Sequence, residues 1–189
     1  VDKYKVRDWI REKVGEEYLI PLLGVWDRFD EIDFDKLPDR FVLKTNHGAG
    51  WNYIVQDKSK LDKADAKAKF DLWTKLNFTY YQGGLELQYE HIQPKIIAEQ
   101  FIENDGGDLY DYKLCCFDGE PKVIIYIMTR YVDADERIIC FDTDWNVLPL
   151  NLFTPLEQPD DIPRPKNLEK MVEVARTLSQ GIPFVRVDL

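Results

Sequence analysis

The segment RFVLKTNHGAGWNYIV, residues 40–55, sets a lysine at the exit of an apolar run and follows it at once with two glycines. Phe41, Val42 and Leu43 predict a buried strand, so the charge on Lys44 must reach solvent or meet a partner. Gly48 and Gly50 let the backbone turn freely and approach a ligand closely. The N–H groups of the loop from Gly48 to Asn52 can then cradle phosphate oxygens. The alternative is a β-hairpin whose glycines serve the turn alone. His47 sits in the same loop, where it could position a phosphate or an acceptor. Trp51 could cover a nucleotide or simply pack.

Three further groupings carry charge on otherwise apolar strands. In KIIAEQFI, residues 95–102, alternation puts Ile97, Glu99 and Phe101 on one face and Ile96, Ala98, Gln100 and Ile102 on the other. The backbone at the end of such a strand can pair with an adenine edge between apolar walls. The alternative is a core strand with Glu99 at its edge. In DYK, Asp111 and Lys113 share one strand face, so a carboxylate suited to ribose hydroxyls stands beside an ammonium suited to phosphate. Arg130 ends the run IIYIMTR and could project into the same cleft. In FVRVDL, Arg186 suits an anion and Asp188 suits Mg2+. Each charged pair could equally be a plain ion pair.

Other residues promise less. His91 reads as a surface or packing residue. Cys115 and Cys116 point to opposite faces of a strand, with no base at hand to activate a thiolate. The triplet DTD at 142–144 lies in a turn-like stretch, a poor setting for the metal motif of a glycosyltransferase.

The elements that must position these groups are short strands alternating with a few helices, an α+β layout in two lobes divided near residues 103–110. Asp2 is the expected N-cap of a helix carrying Val6, Trp9, Ile10 and Val14, with Gly15 as its stop. YLIPLLGVW is extended, and DRFDEIDFDKLPDR reads as a short acidic helix closed by Pro38. Strands are expected at 41–45 and 52–56, and an amphipathic helix from Leu61 to about Phe78. Asp118-Gly119 predicts a tight hairpin. RIICFDTDWN gives another strand and turn, and TPLEQPDDIPRPKN a surface connection. Asn167 caps a helix bearing Leu168, Met171, Ala175 and Leu178, stopped by Gly181, and the final strand is PFVRVDL.

The chain has 189 residues and a formal charge of -10, which argues against nucleic acid as a partner. No apolar run reaches the roughly 20 residues that cross a bilayer, so no transmembrane segment is expected. Three cysteines make neither a disulfide framework nor a zinc spacing. A reduced, cytoplasmic protein is the expectation.

Taken in order, strand–Lys–glycine loop, helix, strand–Glu, Asp–x–Lys, strand–Arg, helix and strand–Arg–x–Asp resemble the ATP-grasp superfamily. The likeness is to its TupA-like branch, named for teichuronopeptide synthesis. DKYKVRDWIREKVGEEYLIPLLGVWD, LPDRFVLKTNHGAGWN, KIIAEQFI, DYKLCCFDGEPKVI and PFVRVDL carry the resemblance over nearly the whole chain. It implies an ATP-grasp-like α+β fold with ATP between two lobes. Residues 1–36 would be a lead-in segment, 37–102 the small lobe and 103–189 the large lobe.

The resemblance also implies roles. Lys44 would meet the α-phosphate or the adenine side, and Gly48, Gly50 and Asn52, with His47 and Trp51 beside them, would close over the β- and γ-phosphates. Glu99, Gln100, Phe101 and Ile102 would form the adenine hinge. Asp111 would hold ribose, Lys113 phosphate, and Arg130 and Arg186 an acyl-phosphate or a carboxylate substrate. Asp188 would be the first Mg2+ ligand. The reaction implied is ATP-driven joining of a carboxylate to an amine, for example glutamate to a uronic-acid acceptor, in cell-surface polysaccharide or teichuronopeptide synthesis. A small-molecule or glycan acceptor and an envelope-synthesis complex are the partners implied. The family pattern continues past Arg–x–Asp with a strand bearing a metal-binding glutamate, whereas this chain stops at Leu189 and opens on Val1. The expectation is a piece of a longer ligase, with the alternatives of a non-catalytic nucleotide-binding module or a glycosyltransferase-like protein.

Overall fold

Two four-stranded antiparallel sheets organise the chain, one in each of two units, Val1–Ile102 and Glu103–Leu189. The computed structural model describes residues 1–83, 85–103, 110–128, 137–150 and 162–189. The architecture is α+β, as the alternation of short strands predicts.

In the first unit the sheet order is β1 (Leu22–Trp26), β4 (Ile96–Gln100), β2 (Phe41–Thr45), β3 (Asn52–Val55). The pleat divides β2 cleanly. Phe41 and Leu43 are fully buried, while Val42 and Lys44 between them are half-buried. One sheet face therefore meets a core of Phe29, Phe34, Leu37, Ala66 and Phe70. The other face carries Lys44, opposite Ile97 on β4 and Asn52 on β3, with Glu99 two residues along from Ile97.

The helix α1 (Val6–Lys13) begins four residues after Asp2. Asp2 caps the preceding turn instead, its Oδ1 accepting from the backbone N–H of Tyr4 (2.9 Å) and Lys5 (3.1 Å). Val6 and Trp9, expected on the inner face, are exposed, and Arg7 is the residue this helix buries. The expected acidic helix is replaced by two single 3-10 turns, Phe29–Glu31 and Phe34–Lys36. Asp33 accepts from Asp35 N and caps the second turn locally, and the break lets Phe29, Ile32, Phe34 and Leu37 all turn inward.

The helix α2 (Lys63–Trp73) is capped by Asp62, whose side chain accepts from Ala64 N and Asp65 N. Replacing a capping aspartate by alanine typically costs about 1 kcal/mol. Asp62→Ala is expected to lower the unfolding free energy of this unit by that amount, measured as a shift of the urea midpoint at constant slope. The α-helix stops five residues short of Phe78, because Thr74 Oγ1 turns back to the Phe70 carbonyl (2.7 Å) and His47 takes the carbonyls of Trp73 and Leu76.

In the second unit the sheet order is β7 (Arg137–Phe141), β6 (Glu120–Met128), β5 (Asp111–Phe117), β8 (Phe184–Asp188). Asp118 (φ 50°) and Gly119 (φ 83°) form the predicted two-residue turn between β5 and β6, both in the left-handed region that a type I′ turn demands. The helix α3 (Leu168–Ser179) begins after Asn167, whose side chain makes no capping hydrogen bond. It buries Leu168, Val172, Ala175 and Leu178, and Cys116 Sγ on β5 donates to the Ala175 carbonyl (3.9 Å). The odd-numbered residues of β5 therefore face away from α3. Lys113 lies opposite Asp188, and Cys115 opposite Arg186. Arg130 and most of the proline-rich connection lie outside the described residues. Among the described residues, no helix is long and apolar enough to cross a membrane.

Candidate functional site

On the first unit, the free face of the sheet gathers charge around one carboxylate. Glu99 is only 6% exposed. Its Oε2 accepts from Lys44 Nζ at 2.6 Å and its Oε1 from Arg7 at 3.2 Å. Arg7, 7% exposed, also donates to the Ile20 carbonyl at 2.6 Å, which fixes its guanidinium against the sheet. Lys3 brings a further ammonium beside Lys44, donating to the Gly48 carbonyl. Burial, then the charge of Lys44, lower the Lys3 amine to about 8, with Glu99 and Asp2 acting in the opposite direction. Lys3, Arg7 and Lys44 against Glu99 and Asp2 leave one positive charge in excess, in a chain whose net charge is -10. Lys44 keeps its side chain 26% exposed, whereas Arg7 and Glu99 are buried.

The glycine loop runs directly from Lys44. Gly48 (φ 94°) and Gly50 (φ 73°) both adopt conformations that side chains disfavour. Among the described residues, the amide N–H groups of Gly48, Ala49 and Gly50 find no partner, so they are free to receive an anion. Asn52 stands exposed at the loop exit, opposite Lys44.

Trp51 lies in a different position from its neighbours. It is 6% exposed, stacked on Trp73 (6.4 Å, 8°) and edge-on to Phe78 (5.0 Å) and Tyr81 (5.3 Å), which fits the packing alternative. His47 is also buried, with Nε2 3.2 Å from the Trp73 carbonyl and 3.3 Å from that of Leu76. Two carbonyl partners assign the proton to Nε2, and desolvation lowers the ring's pKa, so the imidazole stays neutral at the end of α2. Its Nδ1 is buried without a partner among the described residues.

Beyond Glu99, β4 runs out into the stretch expected to hold adenine. Gln100 is exposed and its N–H donates to the Pro21 carbonyl (3.0 Å). Phe101 is half-buried with the Arg40 guanidinium 5.0 Å above its ring, and Ile102 is exposed.

The second unit carries its own charged set on the sheet face away from α3. Lys113 Nζ lies 3.2 Å from Asp111 Oδ2 and 3.4 Å from Asp188 Oδ2. Arg186 makes a two-pronged contact with Asp188, at 2.7 and 2.9 Å. Asp188 therefore holds two cations and Lys113 two carboxylates. Beside them Cys115 has its pKa raised by burial, which removes thiolate character. The DTD triplet closes a turn: Asp142 accepts from the N–H of Asp144 and Asn146 and from Asn146 Nδ2. Those bonds hold its carboxyl below the usual range and use it as a local cap.

ATP fits the first set, where excess positive charge adjoins free loop amides. Magnesium suits the second in donor type, since it ordinarily takes one or two carboxylates together with substrate phosphates. Asp188 offers one such carboxylate, and among the described residues no cluster of three or more metal-binding side chains occurs.

Sequence reasoning missed Lys3, Arg7 and Asn46. Asn46 is buried, donating to Asp2 (3.1 Å) and the Gln93 carbonyl (3.0 Å) and accepting from Lys95 N (2.7 Å), so it ties three segments at the base of the loop. Arg7 left a signal. It stands three and seven residues before Ile10 and Val14, on the stripe a helix buries.

No curated protein matches the chain. Among solved structures it is similar to D-alanine–D-alanine ligase from Bacillus anthracis complexed with ATP, at 18% identity and a TM-score of 0.45, covering 99% of this chain and 49% of that one. A second structure of that ligase gives 16% identity, a TM-score of 0.48 and coverages of 99% and 51%. The ATP-grasp ligase PsnB complexed with minimal precursor gives 11%, 0.44, and coverages of 100% and 46%. The chain thus spans about half the length of each, at 46–51%. The family described as TupA-like ATPgrasp matches residues 1–189 throughout, and the chain belongs to the TupA-like ATP-grasp family.

Proposed function

We infer that this chain is the nucleotide-binding part of an ATP-dependent carboxylate–amine ligase acting in cell-surface polysaccharide or teichuronopeptide synthesis. Family membership supports the reading. The observation that carries it is the Lys44–Glu99–Arg7 cluster beside a glycine loop in which the amides of Gly48, Ala49 and Gly50 have no partner among the described residues. Phosphoryl transfer asks for positioning and charge neutralisation more than for a nucleophilic side chain, and these groups supply both.

In the first unit, Lys44 exchanges part of its contact with Glu99 for a phosphate oxygen, and the loop amides donate to the terminal phosphates. Glu99 holds Lys44 and Arg7 in place meanwhile, and the backbone from Glu99 to Ile102 offers the edge that adenine needs. In the second unit, Asp111 accepts from ribose, Lys113 meets phosphate, and Arg186 orients the substrate carboxylate, a role Arg130 shares. Asp188 holds Mg2+, which when bound neutralises charge on the phosphate oxygens. The substrate carboxylate attacks the γ-phosphorus, the bond to the β-phosphate oxygen breaks, and ADP leaves. The acceptor amine then attacks the acyl carbon and displaces inorganic phosphate. Such a reaction draws on cytoplasmic ATP, with a glycan or small acid as acceptor and an envelope-synthesis complex as its setting.

Calorimetric titration with MgATP tests the reading. The wild-type chain is expected to bind saturably, and Lys44→Ala to weaken binding about 10- to 100-fold, the usual worth of a charge-assisted hydrogen bond. A wild-type chain that binds no ATP overturns the reading. Acceptor-dependent ADP release then separates a ligase from a module that only binds.

A further inference from the structure

The loop amides that await an anion point wherever their peptide groups are held, and the first of those peptides is held at two places. The carbonyl of His47 accepts from Thr45 Oγ1 at 2.7 Å. The same peptide unit carries the N–H of Gly48, and among the described residues no peptide bond is cis. In a planar trans peptide the C=O and the N–H point in opposite directions. Thr45 is fully buried, so a carbonyl turned onto its hydroxyl turns the Gly48 N–H away from that buried side.

The His47 ring supplies the second hold. Its Nε2 is shared between the carbonyls of Trp73 (3.2 Å) and Leu76 (3.3 Å), at and just past the end of α2. The Thr45 N–H donates to the Trp51 carbonyl (3.1 Å) and closes the neck of the loop. Packing alone asks for neither polar group. Valine has the shape of threonine, and an apolar ring in place of His47 would bury no unmet Nδ1. What the two residues add is an orientation.

That orientation needs a lock. Gly48 (φ 94°) has no side chain to bias the sign of φ, so the plane of the His47–Gly48 peptide can turn over at little steric cost. Turned over, it would aim a carbonyl oxygen where the N–H now stands, and a carbonyl repels the phosphate that an N–H attracts. Among the described residues, the Thr45 hydroxyl is the one partner of the His47 carbonyl.

We propose that Thr45 is a positioning residue of the nucleotide site, its hydroxyl locking the His47–Gly48 peptide so that the Gly48 N–H faces the terminal phosphates of ATP. The inference rests on the ATP reading and adds to it a residue that acts without touching the ligand.

Thr45→Val keeps the shape and removes the donor, whereas Thr45→Ser keeps the donor and removes the methyl group. Calorimetric titration of wild type and both variants, with MgATP and with adenosine, separates an effect on phosphate from a general one. Thr45→Val is expected to bind ATP roughly tenfold more weakly than wild type, the worth of one hydrogen bond to a charged group, and adenosine equally well. Thr45→Ser is expected to bind both as wild type does. Unchanged ATP affinity in Thr45→Val, a loss shared by adenosine, or a Thr45→Ser variant as weak as Thr45→Val overturns the proposal and leaves the ATP reading standing. If Thr45→Val does not fold, Thr45→Ala is set against Thr45→Ser, which differs from it by the hydroxyl alone, and equal ATP affinity in those two overturns the proposal. A wild type that binds no ATP overturns both.

Discussion

Glu99→Ala is expected to destabilise the first unit by about 3–5 kcal/mol, the cost of removing one partner from a buried ion pair. The argument rests on burial at both ends. The side chains of Arg7 and Glu99 are 9% and 8% exposed, so water cannot take the place of the lost carboxylate. Arg7 is also held by the Ile20 carbonyl and cannot swing outward without giving up that bond. Lys44 is freer and would move, so the penalty falls chiefly on Arg7. Urea unfolding followed by tryptophan fluorescence reads this unit well, because Trp9, Trp26, Trp51 and Trp73 lie within it and Trp145 alone lies in the other. A double variant, Arg7→Met with Glu99→Leu, should recover most of the loss, since an apolar pair of similar volume is often as stable as the ion pair it replaces. A Glu99→Ala cost under about 1 kcal/mol would show that the guanidinium is solvated, and the buried-pair account would then be wrong.

The local pattern of this chain was legible in the sequence, and its long-range charge pairing was not. The strands of both sheets announce themselves as apolar runs between breakers, and Asp118-Gly119 dictates its own turn. Lys44 stood out because a charge at the end of Phe41–Leu43 needs a reason. Which charge answers it depends on β4 settling beside β2, so that Glu99, 55 positions further along the chain, comes to lie diagonally across from Lys44. No local spacing encodes that register. Arg7 and Lys3 sit in a segment dense with charge, which reads as a solvated helix until the sheet it covers is known. A histidine in a glycine loop has no sequence mark to distinguish a phosphate ligand from a group that fastens the end of a helix, as His47 does at the Trp73 and Leu76 carbonyls. The 27–40 segment failed for a different reason. Its apolar residues are spaced three, two and three apart, and local Asp33 capping favours separate turns over one helix.

Gly48→Ala is expected to cost about 3 kcal/mol and Gly50→Ala about 1 kcal/mol, although both glycines occupy the left-handed region. At Gly50 (φ 73°) a methyl group would meet nothing within 4 Å, so only the backbone preference is lost. At Gly48 (φ 94°) the same methyl would lie 2.6 Å from the Phe78 ring and 2.8 Å from that of Trp51. Neither ring can give way easily. Trp51 is stacked on Trp73 and edge-on to Tyr81, and Phe78 is held edge-on by Tyr89 at 5.0 Å. The loop is thus anchored at one glycine by an aromatic cluster and left open at the other, a division of labour suited to a phosphate loop that must keep its base fixed while its tip meets a ligand. Phe78→Leu in the Gly48→Ala background should recover part of the steric loss and none of the backbone loss. Chemical unfolding of the three variants measures the difference directly. Equal costs at the two glycines would mean that the aromatic cluster yields freely, and the loop would then have no fixed base.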